Sequence, residues 1–108
     1  MKIGELVQQG DVLLKRVGEI PAEARKVSSE NGFLILAKGE ATGHAHKIAA
    51  TPHVELLEYD GKLWLKIKKL TPLEHEEHHI LKIESGEYEI GRVRERDHFS
   101  RITREVED

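Results

Sequence analysis

Two pairs of histidines are the residues whose types and spacing indicate chemistry in this sequence. His44 and His46 lie two positions apart at the start of a predicted strand, where side chains at i and i+2 point to the same face. His75 and His78 lie three positions apart, a spacing that on a helical or 3₁₀ turn also brings two rings to one side. Ile48 continues the face of the first pair, so we expect these rings to point toward an apolar interior. The four imidazoles together predict a shared divalent metal site.

The residue types that are present restrict the metal and its use. The sequence has no cysteine, so a transition-metal site must use His, Asp and Glu. Neutral imidazole suits zinc, iron, nickel and copper; zinc is the ion we favour, and the other three are alternatives. Four nitrogen ligands would close a structural zinc site, whereas three with a water would leave a position open for catalysis. Glu40, Glu76 and Glu77 are then candidate acid–base groups for metal-assisted hydrolysis, and whether the protein is an enzyme stays open.

Metal-free interpretations compete with this hypothesis. A small β domain can bind a protein along an edge strand, or an unknown small molecule, and the acidic run 74–79 is also typical of a solvated loop. A nucleic-acid face with one stacking aromatic is a further hypothesis, built on Lys62, Trp64, Lys66, Lys68 and Lys69. We favour the interpretation that these five residues form the solvent-exposed face of an amphipathic strand, because the chain carries a net charge of −3. The remaining histidines, His53, His79 and His98, show no converging spacing.

The elements that would position the histidines are predicted to be strands. Short apolar segments alternate with turn residues along the chain, which is typical of a small antiparallel barrel or sandwich. Asp60-Gly61 between two apolar runs predicts a hairpin, and Leu63, Leu65 and Ile67 should form the buried face of its second arm. Good helix formers between residues 21 and 29 predict at most one short helix. We therefore expect an all-β fold.

Length and composition limit the domain organisation and the location. The 108 residues fit a single β domain over residues 1–108, with a charged tail over about 97–108. The longest apolar run, residues 33–37, is too short to cross a bilayer, and the N-terminus lacks the apolar core of a secretory signal. We expect a cytoplasmic protein without a membrane partner. A homo-oligomer is one of the oligomeric states that stay open.

Two resemblances follow from these motifs. The order of glycine, His44-Ala-His46, strand, hairpin and later histidine resembles in part the metal site of the cupins, which implies a β-barrel and a bound metal. Several strings along most of the chain resemble a group of small uncharacterised microbial and phage-associated proteins, which implies no activity. These strings are Gln9-Gly-Asp-Val-Leu-Leu14, Gly39-Glu-Ala-Thr-Gly-His-Ala-His46, His75-Glu-Glu-His78, Gly86-Glu-Tyr-Glu-Ile90 and Arg94-Glu-Arg-Asp97.

Overall fold

The chain folds as two antiparallel β-sheets, seen in a computed structural model that describes residues 2–38 and 44–93. The first sheet has six strands, in the spatial order β1-β2-β10-β7-β6-β3, and the second has four, in the order β4-β5-β8-β9. The strands of the first sheet are β1 Leu6–Gln9, β2 Val12–Val17, β3 Arg25–Lys26, β6 Val54–Tyr59, β7 Lys62–Ile67 and β10 Gly86–Arg92. Those of the second are β4 Phe33–Lys38, β5 Ala45–Ala49, β8 Thr71–His75 and β9 His78–Ile83.

The core lies between the two sheets and is made of side chains that alternate along the strands. Leu14, Leu65 and Tyr88 of the first sheet and Ile48 and Leu73 of the second are almost completely buried in one cluster. This alternation is the period-2 pattern of strands that bury one face. The all-β prediction is confirmed; the arrangement is a sandwich, and the described strands do not close into a barrel.

The hairpin predicted at Asp60-Gly61 is present and joins β6 to β7. Asp60 and Gly61 have φ values of +54° and +77°, the left-handed conformations that a tight two-residue turn requires. Leu65 and Ile67 are buried, as expected, and Leu63 is half-buried. Trp64, on the face predicted to be wet, is only 8% exposed, so its ring is not a free platform for stacking bases.

Residues 21–29, where at most one short helix was predicted, form no helix. A turn closed by a hydrogen bond from Ala24 N to Pro21 O is followed by β3, and the Val27 N–H then donates to the Leu56 carbonyl. The segment has helix-forming residues, but pairing with the edge of β6 satisfies its backbone groups along β3. The described residues contain no helix at all, and therefore none long and apolar enough to cross a membrane.

Three pieces of the fold meet at one place. Strand β5 pairs with β8, β8 pairs with β9 through a tight hairpin, and the β1–β2 turn at Gly10-Asp11 lies against them. Gln9, the last residue of β1, reaches from the first sheet to the second, where its side-chain Nε2 donates to the backbone carbonyls of Leu73 and His79. This junction holds the predicted histidine residues.

Candidate functional site

His46 is the most buried of the four histidines, with a side chain only 2% exposed. It lies on β5 two positions before the buried Ile48, so the prediction that this face points inward is confirmed. Its Nδ1 is 2.8 Å from the side-chain oxygen of Gln9. Burial, the largest influence, and the neighbouring ring of His75 lower the pKa of His46, against the opposing influence of Asp11. The lowered pKa favours the neutral imidazole.

Gln9 determines which nitrogen of His46 carries the proton. Its amide Nε2 donates to the carbonyl oxygens of Leu73 and His79, at 2.9 and 2.8 Å. The reverse amide orientation would direct an oxygen at two other oxygens, so Oε1 must be the atom that faces His46. Because Oε1 can only accept, Nδ1 of His46 must donate. In the neutral ring, the lone pair then lies on Nε2.

His75 and His78 face each other across the β8–β9 hairpin. They form a directly opposed pair on either side of the two-residue turn Glu76-Glu77. Their predicted closeness is therefore correct, whereas the helical turn proposed to produce it is wrong. Cross-strand neighbours in a hairpin share a face, which gives the same result by a different geometry.

The structure brings all four predicted histidine rings together. Lys47 pairs with Glu74, which makes His46 and His75 neighbours across β5 and β8, and their ring centroids are 4.3 Å apart. The His75 and His78 centroids are 4.6 Å apart, those of His46 and His78 5.9 Å, and those of His44 and His75 5.9 Å. The rings of His46, His75 and His78 thus form a triangle across three neighbouring strands, and His44 lies beside His75. We call these four residues the histidine cluster.

Gly10 closes one side of the histidine cluster. Its φ of +58° is a left-handed conformation that favours glycine, and a Cβ built there would lie 2.6 Å from His78 Nε2 and 3.1 Å from His46 Cε1. Any side chain at this position would displace the rings. The turn must therefore be glycine for the histidine cluster to have this form.

Asp11, which was not among the site residues predicted from the sequence, has its carboxylate close to His46. Its Oδ1 is 3.3 Å from His46 Nε2, and its Oδ2 accepts hydrogen bonds from Nε and Nη2 of Arg92 at 3.1 and 2.6 Å. Partial burial would raise the pKa of Asp11, but the hydrogen bond and the charge of Arg92 outweigh it and lower that pKa. Gln9 and Asp11 both lie in the string Gln9–Leu14, and this string was the sequence feature that could have drawn attention to them.

The three candidate glutamates differ in their surroundings. Glu76 accepts a hydrogen bond from the Ala45 N–H at 3.0 Å and another from Lys47 at 3.3 Å, and the first of these is the main cause that lowers the pKa of Glu76 to about 2. A carboxylate with so low a pKa is a weak base at neutral pH. Glu76 therefore suits a structural role, in which it joins the hairpin turn to β5. Glu77 Oε2 is 3.3 Å from His44 Nδ1. Glu40 lies outside the described residues.

The ring nitrogens of the histidine cluster are not arranged around one common point in this structure. The Glu77 N–H donates to Nδ1 of His75 at 3.0 Å, so this nitrogen's lone pair is already used. Within residues 2–38 and 44–93, no three His, Asp or Glu side chains already form a group that could hold a metal ion. Of the other histidines, His79 is exposed, His53 is half-buried, and His98 lies outside the described residues.

The matched family covers the whole of this site. A family model described as a domain of unknown function, DUF8820, matches residues 8–93. The chain belongs to the DUF8820 family. The match includes Gln9, Asp11 and the histidine cluster, and the DUF8820 description carries no activity, so function must be argued from the site itself. No curated protein and no solved structure matches the chain.

Proposed function

We propose that this protein binds one divalent transition-metal ion through imidazoles of the histidine cluster. Zinc is the ion we favour, and iron, nickel and copper are the alternatives, because neutral imidazole suits all four. The ligands are drawn from His44, His46, His75 and His78. The observation that carries the proposal is the 2.8 Å contact between His46 Nδ1 and the side-chain oxygen of the buried Gln9, which assigns the proton to Nδ1.

A metal-binding histidine has to present a lone pair, and its other nitrogen is normally held by an outer partner. Gln9 supplies that partner at Nδ1 of His46, at 2.8 Å, and is itself 1% exposed. Nε2 of the neutral ring is left as an acceptor within a cluster of imidazoles. One of the three hydrogen bonds of Gln9 reaches the ring, and the other two fix the orientation of the amide that holds it.

The spacing of the rings also suits one ion. A metal–nitrogen bond of about 2.0–2.1 Å plus half a ring separates an ion from each centroid, so imidazoles around one tetrahedral ion have centroids about 5 Å apart. The centroid separations of 4.3, 4.6 and 5.9 Å lie around that value. The rings would have to turn before their nitrogens could share an ion, because no such group is formed among the described residues.

His75 is the ring whose contacts must change most. To bind through Nε2 it would need a proton on Nδ1, and that proton would oppose the Glu77 N–H that now donates to the same atom. We therefore expect His46 to bind first and His75 last, if it joins at all. An ion held by fewer than four protein ligands would leave a position for water and would lower the pKa of that water. Glu77, whose Oε2 is 3.3 Å from His44 Nδ1, is then the glutamate candidate for proton transfer.

Zinc titration of protein purified without a histidine tag tests the proposal. After treatment with a chelator, calorimetry should show about one zinc bound per chain, and elemental analysis after desalting should give the same ratio. His46→Ala should abolish this binding. His53→Ala is the control, because it removes one imidazole that is not in the cluster, and it should bind zinc as the wild type does.

Two results would point to another function. Wild-type protein that takes up no zinc, iron, nickel or copper would favour the metal-free interaction module. Equal loss of zinc in the His46 and His53 variants would mean that the histidine cluster is not the site. If metal is bound, unfolding on its removal would indicate a structural ion, and an intact fold without metal would favour catalysis.

A further inference from the structure

We infer that Asp11 supplies a carboxylate ligand to the ion, so that the site is a mixed histidine–carboxylate site and not a site of four imidazoles. The inference rests on the proposed function, since it names one of the ligands of the proposed ion. It concerns a residue at the β1–β2 turn, on the other sheet from the four histidines.

Two acceptor atoms, one on His46 and one on Asp11, face each other across the junction of the two sheets. Nδ1 of His46 donates to Gln9, so Nε2 of the neutral ring carries a lone pair, and Oδ1 of Asp11 lies 3.3 Å from it. Two acceptors repel at this distance unless something positive lies beside both. That species is either a proton on Nε2 or a cation bound by both atoms.

The distance between the two atoms fits a shared cation. Zinc bonds of about 2.0–2.1 Å to nitrogen and oxygen, at the tetrahedral angle, place the two ligand atoms about 3.3–3.4 Å apart. The 3.3 Å between His46 Nε2 and Asp11 Oδ1 is therefore already the edge of such a tetrahedron. These two groups would need little movement to bind, in contrast to His75.

In both groups, the atom that faces away from the proposed ion is held by hydrogen bonds. Arg92 donates twice to Oδ2 of Asp11, which directs Oδ1 inward, and Gln9 holds Nδ1 of His46, which directs Nε2 inward. Metal-bound carboxylates and imidazoles are typically oriented by outer hydrogen bonds of this kind. Arg92 and Asp11 are 81 residues apart in the chain, so the pairing is made by the fold, through the β2–β10 ladder.

The ligand types define the class of ion. One carboxylate with two or three imidazoles suits zinc and iron(II), and it disfavours copper(I), which selects thiolate and thioether ligands. The negative charge of Asp11 lowers the net charge that a divalent ion brings to a half-buried place. His78, whose Nε2 lies near Gly10 as Cε1 of His46 does, is the imidazole that we expect to be added to this pair.

The zinc affinity of Asp11→Asn tests the inference, with zinc sulfate and calorimetry on the full chain. If Asp11 is a ligand, the affinity should fall by more than about 100-fold, beyond the roughly 10–100-fold that loss of an outer partner costs. Asp60→Asn removes the same charge at the tip of the β6–β7 hairpin, where φ is +54° and asparagine is tolerated. This control should leave zinc affinity unchanged.

The opposite result has a distinct physical meaning. If a proton on Nε2 of His46 bridges to Asp11, the carboxylate competes with zinc for that nitrogen, and Asp11→Asn would leave the affinity unchanged or raise it. That outcome overturns the inference while zinc binding by the wild type still supports the proposed function. A wild type that binds no zinc overturns both.

A measurement on the wild type covers the case in which Asp11→Asn does not fold. With aspartate labelled by ¹³C at the carboxyl carbon, the Asp11 resonance should shift on addition of one equivalent of zinc, and the Asp60 resonance should not. Equal or absent shifts at both carboxyl groups would overturn the inference without any variant.

Discussion

Replacement of Gln9 by methionine tests how the site is joined to the fold. Methionine keeps a similar volume and an unbranched chain, but it removes all three hydrogen bonds of the Gln9 amide. These bonds lead to the carbonyls of Leu73 and His79 and to His46 Nδ1, so they join β1 to β5, β8 and β9. The variant therefore removes these three polar links between the two sheets with little change in packing.

The size of the effect follows from the burial of these partners. A net hydrogen bond contributes about 1 kcal/mol, and a buried group left without a partner costs about 1–3 kcal/mol. Gln9 is 1% exposed and His46 2%, so water cannot easily replace the lost bonds. We expect the free energy of unfolding to fall by about 3–5 kcal/mol, and the melting temperature to fall by at least about 12 °C.

Urea unfolding of chelator-treated protein, followed by circular dichroism, measures this difference without a contribution from metal. Gln8→Met is the matched control. The Gln8 amide makes one hydrogen bond, to the Gly10 carbonyl at 2.6 Å, and its Oε1 is buried with no hydrogen-bond partner among the described residues. The control should change stability by about 1 kcal/mol or less. Similar losses in both variants would refute the argument that Gln9 holds the junction together.

Three other predictions concern the turn, the acid range and metal-dependent stability. Gly10→Ala should lower the free energy of unfolding by about 1–2 kcal/mol because of its left-handed φ, and it should also weaken zinc binding by displacing His78. Gly61→Ala, with a similar φ and open space around it, should affect stability alone. Calorimetric titration and thermal melts separate these two effects. Because the pKa of Glu76 is lowered from 4.5 to about 2, its contribution to stability is present above pH 4.5 and lost as the pH falls through about 2. Acid unfolding of Glu76→Gln should not show this loss of stability between pH 4.5 and about 2. An acid unfolding profile identical to that of the wild type would contradict this prediction. Zinc at 100 times its dissociation constant should stabilise the protein by about 2.7 kcal/mol, which a melt in excess chelator should remove.

Local patterns predicted much of the fold. The left-handed turn at Asp60-Gly61 and the burial of Ile48 and Leu65 could be read from spacing and residue type, because each depends on residues close in sequence. The inward direction of His46 followed from the same alternation. In each of these cases the period of a strand was sufficient.

The rest depends on contacts between distant parts of the chain. Residues 21–29 have helix-forming side chains, but the edge of β6 provides a strand partner that propensity does not reveal. The spacing of His75 and His78 by three residues predicts a helical or 3₁₀ turn, and the turn Glu76-Glu77 carries no glycine that would indicate a hairpin instead. Asp11 meets His46 only because the β1–β2 turn of one sheet lies against the other sheet, and sheet order cannot be read from hydrophobic spacing.

Anomalous scattering at the zinc absorption edge, from crystals of the zinc-loaded protein, tests the shared ion most directly. We predict one peak about 2.0–2.1 Å from Nε2 of His46, bonded to at least one further ring of the histidine cluster. A fully loaded protein whose zinc peak lies elsewhere, with the four rings left as they are without metal, would contradict the account.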